Sequence, residues 1–166
     1  DSTVDGMKTG YTSDAGYCLV ASAKKDGQRL ISVILGASGT EARAQESQKL
    51  ITYGMRFFET HVLYDAQEIL NEARVWGGAQ DYMELMLESE VAVTIPRGQA
   101  KYIKATMDIN NGIEAPLSAG DILGKLVITL DTDIILERDL VASNDILEGG
   151  FFKGITDSAK RLISGE

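Results

Sequence analysis

Hydrophobic and polar positions alternate in the first third of the chain in a way that predicts a small antiparallel sheet. Two β-rich runs, Tyr17 to Ala23 and Arg29 to Leu35, flank Lys25-Asp26-Gly27, and this arrangement is typical of a hairpin with a tight turn. A further run contains Lys8, Thr9 and Gly10 and precedes the hairpin. The pattern therefore predicts three consecutive strands.

The next segment changes to the spacing of a helix. From Thr40 to Phe58, the apolar residues Leu50, Ile51, Met55 and Phe58 recur at about the 3.6-residue period, and Thr40 is a candidate N-cap. We expect the apolar face of this helix to lie on the three-stranded sheet.

The pattern changes again near residue 64, where short apolar runs separated by turn signals begin. The stretch "DAQEILNEA" predicts a short helix, and brief alternating runs predict strands after it. Short strands at this spacing indicate an all-β sandwich or a small barrel. After Gly149-Gly150, the last residues predict a weakly amphipathic helix over 149–166. The predicted strands are Val91 to Ile95, Lys101 to Ile109, Leu123 to Leu130 and Ile134 to Val141.

Charge and cysteine content narrow the possible functions. The formal net charge of -9 argues against nucleic acid as a partner, because a nucleic-acid-binding face must be basic, and it favours a sugar, peptide or protein. Cys18 is the only cysteine, so an intrachain disulfide and a zinc site built from several thiolates are excluded, and we expect Cys18 to act as a small apolar residue. No apolar run reaches the roughly 18 residues of a spanning helix, and the N-terminal residues do not show the basic segment followed by an apolar one of an export signal. The sequence begins at Asp1 without a start methionine, which suggests a mature or truncated product.

Lys8, Thr9 and Gly10 form a K-T-G tripeptide that could serve acyl transfer on a peptide carboxylate. An ammonium group would attract the carboxylate, a hydroxyl would donate a hydrogen bond, and glycine would let the substrate backbone approach the strand. The backbone N–H of Tyr11 could then donate to an oxyanion. A K-T-G tripeptide by itself is more often an ordinary strand or turn.

The motifs around this tripeptide carry a resemblance to a known family. The segments "VDGMKTGYT", "AGYCLVASA", "GMRFFET", "TIPRG" and "APL" occur in family order, and the chain resembles the penicillin-binding proteins of the D-alanyl-D-alanine carboxypeptidase type. The resemblance implies an α+β fold: part of a serine-transpeptidase or β-lactamase-like sheet, with three antiparallel strands and a C-terminal helix, followed by an all-β sandwich domain. It places the catalytic-domain part at 1–63, the β stalk domain at 64–148 and the terminal helix at 149–166.

The resemblance also implies a reaction and a role for each residue of the site. The family uses S-x-x-K, S-x-N and K-T-G motifs, and only the third is present in its expected place here. Lys8 and Thr9 resemble the carboxylate-binding pair, Tyr11 the backbone oxyanion donor, where the family often has histidine, and Arg43 an arginine that helps to hold the substrate carboxylate. This chain is therefore expected to have no nucleophile and no activity alone, because an acyl-enzyme needs one. Neither a cofactor nor a metal is expected.

Other residues could suggest different chemistry. Ser22 to Lys25 matches S-x-x-K, but it lies at the end of a predicted strand rather than at the start of a helix. His61, the only histidine, is expected to be structural, and Trp76 is expected to be a core aromatic rather than a platform for sugars. Asp131 and Asp133 flank Thr132 in what is most simply a turn between strands.

Partners and location follow from the same resemblance. We expect peptidoglycan stem peptides and β-lactams as ligands of the intact enzyme, a missing N-terminal part, and a periplasmic location at the outer face of the bacterial cytoplasmic membrane. Exposed apolar surface predicts a homo-oligomer or strand exchange, and the terminal helix predicts a weak membrane-surface contact. The alternative is a non-catalytic stalk or binding module that retains the K-T-G strand. A lipoyl or biotinyl carrier is disfavoured because Lys125 lacks the expected neighbours.

Overall fold

A computed structural model describes residues 2–150 of the chain. Its internal contacts divide the described residues into two units, one made of residues 2–61 and 94–100 and the other of residues 62–93 and 101–150. Across the described residues, no helix combines the length and apolar character needed to span a membrane.

The first unit contains a three-stranded antiparallel sheet in the order β1-β2-β3. The strands are β1 (Val4–Thr12), β2 (Gly16–Lys25) and β3 (Gln28–Ala37). Asp26 and Gly27 form the two-residue turn between β2 and β3, with φ angles of 50° and 81°. Glycine and aspartate tolerate this left-handed backbone better than most residues, so the predicted hairpin and the three strands are confirmed.

One long helix, α1 (Thr40–Phe57), follows the sheet. Ile51 is buried with Leu19, Ala21 and Ala23, which β2 presents on alternate positions, and Met55 packs against this cluster. The predicted helix and its packing on the sheet are confirmed.

Two details of the helix prediction are wrong. Gly39, not Thr40, occupies the N-cap position, and no side chain caps the helix there. Leu50 is 51% exposed and so does not belong to the buried face. The buried face instead uses the small residues Ser47 and Gly54 beside Ile51, which lets the helix approach the sheet closely.

The remaining strands form two further sheets. β4 (Phe58–Tyr64) forms a two-stranded sheet with β7 (Val91–Pro96). A five-stranded sheet has the order β5-β6-β10-β9-β8. Its strands are β5 (Ile69–Arg74), β6 (Tyr82–Met86), β8 (Ile103–Ile109), β9 (Ile122–Leu130) and β10 (Asp133–Ala142).

The second unit has its own hydrophobic core. In β6 and β9, side chains two positions apart are fully buried, as expected for sheets with one face covered. The α+β fold class, with a partial catalytic-type sheet followed by an all-β sandwich, is confirmed. The buried side chains of this core include Met83, Leu85, Leu126, Ile128 and Leu140.

Three local predictions in this region need correction. The segment "DAQEILNEA" is not helical, because Ile69–Arg74 forms β5 and pairs with β6, where Ala73 lies opposite the fully buried Met83. Pairing with β6 outweighs the helix-favouring local composition. The strand predicted from Lys101 begins only at Ile103, because Ala100–Tyr102 is a short 3-10 helix. The patterns also missed β4 and β6. The predicted helix at 149–166 lies outside the described residues apart from its first two positions.

Candidate functional site

The K-T-G tripeptide lies in β1, which forms one edge of the three-stranded sheet. Thr9 pairs with Leu19 and Lys8 with Val20 in the register of β1 and β2. Because paired residues of antiparallel strands share a face, Thr9 lies on the face that α1 covers, and Lys8 lies on the opposite face. The two side chains therefore lie on opposite faces of the edge strand.

The tripeptide and the residue after it are solvent-exposed. Lys8, Thr9, Gly10 and Tyr11 are all exposed in the described residues. The Lys8 ammonium donates to the main-chain oxygen of Thr9 at 2.7 Å, so the cation is held beside the backbone of the tripeptide. This arrangement gives a strand edge with positive charge and open backbone, which suits a peptide carboxylate.

Arg43 joins this strand from the first turns of α1. Its Nη1 donates to the carbonyl oxygen of Gly10 at 3.1 Å and to that of Cys18 at 3.2 Å. Gly10 and Cys18 face each other in the β1–β2 register, so one guanidinium nitrogen fastens both strands. The structure thus brings Arg43 next to the K-T-G strand.

Tyr17 connects the same groups through its ring, and sequence reasoning missed it. Tyr11 and Tyr17 are directly opposite in the strand register, and their ring centroids lie 4.5 Å apart. The Arg43 guanidinium carbon lies 5.6 Å from the centroid of the Tyr17 ring, within the range of a cation–π contact. The register of the predicted hairpin is the signal that could have placed Tyr17 opposite Tyr11.

Ser22 is engaged elsewhere and is not paired with Lys25. Ser22 and Lys25 are three positions apart in β2, so their side chains point to opposite faces of the strand. Arg29 donates to the Ser22 hydroxyl and, at 3.0 and 2.7 Å, to the two carboxylate oxygens of Asp5. Hydrogen bonds from Arg29 first, and then from Ser22, lower the pKa of the Asp5 carboxyl. This cluster is an exposed ion pair rather than a nucleophile with a lysine base.

A second polar cluster lies at the C-terminus of α1. Arg97 donates through Nη2 to the carbonyl oxygens of Met55 and Phe58, at 3.0 and 3.1 Å, and through Nε to that of Arg56 at 3.2 Å. Glu59 accepts from the backbone N–H of Gly98 at 2.9 Å and lies 3.4 Å from Arg97. The hydrogen bond from Gly98 lowers the pKa of the Glu59 carboxyl, with His61 and Arg97 adding to the effect.

This cluster borders a cavity that is distinct from the K-T-G strand. The cavity has a volume of about 180 Å³, and none of the predicted site residues lines it. Gln28, which is 5% exposed, lines it and has an Nε2 without a hydrogen-bond partner in the described residues. The lining residues are Lys25, Asp26, Gln28, Met55, Glu59, Thr60 and Arg97.

The other residues singled out in the sequence have structural surroundings. Trp76 is 8% exposed and stacks with the Arg74 guanidinium at 4.7 Å, so it is a core aromatic. Nε2 of His61 lies 3.3 Å from a carboxylate oxygen of Glu59. Lys125 lies inside β9 rather than at a hairpin tip and pairs with Glu137 at 3.0 Å.

Asp131 and Asp133 lie at a hairpin, as the sequence predicts. Asp131 and Thr132 form the two-residue connection between β9 and β10, and Asp131 has a φ of 55°. Within residues 2–150, no three His, Cys, Asp or Glu side chains are grouped so as to hold a metal ion.

Comparison with known proteins explains why these features occur together. The profile of the family described as penicillin-binding protein 5, C-terminal domain, matches residues 58–148, and that of the D-alanyl-D-alanine carboxypeptidases matches residues 1–39. The chain belongs to the D-alanyl-D-alanine carboxypeptidase family of penicillin-binding proteins. It corresponds to the C-terminal portion of these proteins, so the resemblance seen in the sequence motifs is confirmed.

Individual members of the family are similar over most of this chain. D-alanyl-D-alanine carboxypeptidase DacA of Escherichia coli is 43% identical over 162 residues, which cover 96% of this chain and 40% of DacA. DacF of Bacillus subtilis is 34% identical, and this chain covers 38% of the length of DacF. The crystal structure of penicillin-binding protein 5 from Haemophilus influenzae superimposes with a TM-score of 0.82 at 39% identity, covering 88% of this chain and 43% of that one. The chain thus spans about two fifths of the length of the relatives it matches.

Proposed function

We propose that this chain is the C-terminal part of a serine D,D-carboxypeptidase that removes the terminal D-alanine from peptidoglycan stem peptides. In this proposal, the intact enzyme forms an acyl-enzyme with the stem peptide and is acylated by β-lactams at the same serine. The chain supplies the residues that receive the substrate carboxylate, and a preceding portion supplies the nucleophile, its lysine partner and the S-x-N motif.

The observation that carries this proposal is the contact of Arg43 with the K-T-G strand. Nη1 is held by the carbonyl oxygens of Gly10 and Cys18. Within residues 2–150, Nε and Nη2 have no hydrogen-bond partner, so the other edge of the guanidinium is available to a carboxylate. Arginine suits this role because its planar fork binds both oxygens of a carboxylate.

The roles proposed for the K-T-G strand follow from its position. Lys8 adds positive charge at the strand edge, Thr9 offers a hydroxyl, and Gly10 leaves room for the substrate backbone. The backbone N–H of Tyr11 is proposed as one oxyanion donor. Removal of such a donor from other enzymes costs about 2.7–4 kcal/mol of transition-state stabilisation.

The face of the sheet opposite α1 supports a contact with further protein. Four apolar side chains of β2 and β3 on this face are 43–75% exposed. We propose that the preceding portion of the enzyme covers this face, and that the chain alone self-associates or exchanges strands through it. The four residues are Val20, Ile31, Val33 and Leu35.

We further propose the domain roles and the location that the family suggests. Residues 1–63 belong to the catalytic domain, 64–148 form a β stalk, and 149–166 make a weak contact with the membrane surface. The separate core of the second unit supports a stalk that keeps its fold without the catalytic domain. The enzyme would then act in the periplasm, at the outer face of the cytoplasmic membrane.

Complementation tests the proposal. Residues 1–166 are joined to the N-terminal portion of Escherichia coli DacA, and release of D-alanine from a stem pentapeptide is measured. We expect activity in the chimera and its strong reduction by Lys8→Ala or Arg43→Ala. Lys49→Ala, an exposed cation on the same helix as Arg43, is the matched control and should leave activity unchanged.

The same chimera also tests the alternative of a non-catalytic binding module. Under that alternative, Lys8→Ala and Arg43→Ala would have no greater effect than Lys49→Ala. Equal rates for all three variants would therefore contradict the proposed function.

A further inference from the structure

The Tyr17 ring contacts both Tyr11 and Arg43. Its ring lies 4.5 Å from the Tyr11 ring and 5.6 Å from the Arg43 guanidinium carbon. Tyr17 is half-buried in β2, whereas Tyr11 is 61% exposed on the edge strand. The half-buried Tyr17 ring is therefore within contact range of both the exposed Tyr11 ring and the Arg43 guanidinium.

The backbone bonds of Arg43 engage only one of its three guanidinium nitrogens. Nη1 alone bonds to Gly10 and Cys18, so among residues 2–150 no hydrogen bond holds the edge formed by Nε and Nη2. An aromatic ring 5.6 Å from the guanidinium carbon adds a cation–π contact, which holds the guanidinium independently of these two hydrogen bonds. Tyr17 provides that ring.

We propose that Tyr17 is a positioning residue for the substrate carboxylate. It holds the Arg43 guanidinium so that Nε and Nη2 are presented together as a two-pronged donor. This inference rests on the proposed function for its role in catalysis, but the stack itself can be tested in the chain alone.

Two variants of Tyr17 separate the contribution of the aromatic ring from that of the hydroxyl group. No hydrogen bond of the Tyr17 hydroxyl is found among residues 2–150, so Tyr17→Phe keeps the ring and removes nothing that the stack uses. Tyr17→Leu keeps an apolar side chain and removes the aromatic face. Tyr53→Leu is the control, because Tyr53 is an exposed aromatic residue on α1 that contacts Phe57 and not Arg43.

The first experiment uses nuclear magnetic resonance of the arginine side chains in the 166-residue protein. We expect the Hη protons of Arg43 to be resolved and protected from solvent exchange in the wild type, in Tyr17→Phe and in Tyr53→Leu. In Tyr17→Leu, they should average and lose at least about tenfold in protection, the equivalent of losing a cation–π contact of moderate strength. Unchanged protection in Tyr17→Leu would overturn the proposal.

The second experiment uses the DacA chimera and separates KM from kcat. Tyr17→Leu should raise KM for the stem peptide about tenfold while kcat changes less than about twofold, because the effect is on carboxylate binding. Tyr17→Phe should restore the wild-type KM. In an Arg43→Ala background, Tyr17→Leu should have no further effect.

The two experiments distinguish the two claims. If Tyr17→Leu still raises KM tenfold without Arg43, the tyrosine acts only on the fold, and the inference is wrong. If the wild-type chimera releases no D-alanine while Arg43 protection depends on Tyr17, the proposed function fails and the stack stands.

Discussion

A buried pair of serines joins α1 to the sheet and makes a sharp prediction about stability. The hydroxyl oxygens of Ser32 on β3 and Ser47 on α1 are 2.6 Å apart, and the two residues are 4% and 3% exposed. Ser47 lies one helical turn beyond Arg43, so this bond helps to fix the rotation of the helix that carries Arg43. Either alanine substitution leaves one buried hydroxyl without this partner.

The expected loss of unfolding free energy follows from the cost of burying an unpaired polar group. Each single variant, Ser32→Ala or Ser47→Ala, should lose about 2 kcal/mol of unfolding free energy, because burial of an unsatisfied hydroxyl costs about 1–3 kcal/mol. The double variant should lose only about 1 kcal/mol, since it leaves no orphaned group and gives up only the net value of the bond. Simple additivity would instead give about 4 kcal/mol.

The assay must report on the first unit. Trp76, the only tryptophan, lies in the second unit, so urea unfolding is followed by circular dichroism of α1. A double variant as unstable as the sum of the two single variants would refute the reasoning. That result would mean that each hydroxyl forms its hydrogen bond with another group rather than with the other serine.

Three further predictions concern single residues. Arg97→Ala should cost about 2 kcal/mol in urea unfolding, because three carbonyl groups at the end of α1 lose their charged donor, and a loss below about 0.5 kcal/mol would contradict this contact. Arg29 lowers the pKa of Asp5 below its ordinary value of 3.8. The ion pair therefore stabilises the folded protein fully at a pH above 3.8, and this stabilisation is lost as the pH falls below that value. Asp5→Asn should therefore flatten the acid side of the stability curve in pH-dependent unfolding, and an unchanged curve would count against the pair. Gly124→Ala should destabilise the second unit by about 2–4 kcal/mol, since an added Cβ would lie 2.7 Å from the backbone oxygen of Asp108; Trp76 fluorescence measures this, and wild-type stability would refute the close approach.

Local signals were sufficient where a turn or a periodic face decided the structure. Asp26 and Gly27 are suited to a backbone with positive φ, and this specified the hairpin of β2 and β3. The spacing of Ile51 and Met55 placed α1 on the sheet. The motifs around Lys8 were sufficient to indicate the family.

The remaining features depend on contacts between distant parts of the chain. β5 was predicted as a helix because its own residues tolerate one, and only its pairing with β6 shows that it is a strand. Arg97 is 41 positions from Arg56, so no local pattern reveals that it binds the end of α1. Arg43 was identified by resemblance alone, and its anchorage to Gly10 and Cys18 required the register of two strands.

The central claim is that this chain carries the carboxylate-binding half of an acyl-transfer site without an attacking oxygen. The most direct test incubates the purified 18.0 kDa chain with fluorescent penicillin, with the DacA chimera beside it, and measures intact mass. We predict an unmodified mass for the chain and one covalent penicillin on the chimera, at a serine outside residues 1–166. A stoichiometric adduct on the chain alone, above all on Ser22, would contradict the account.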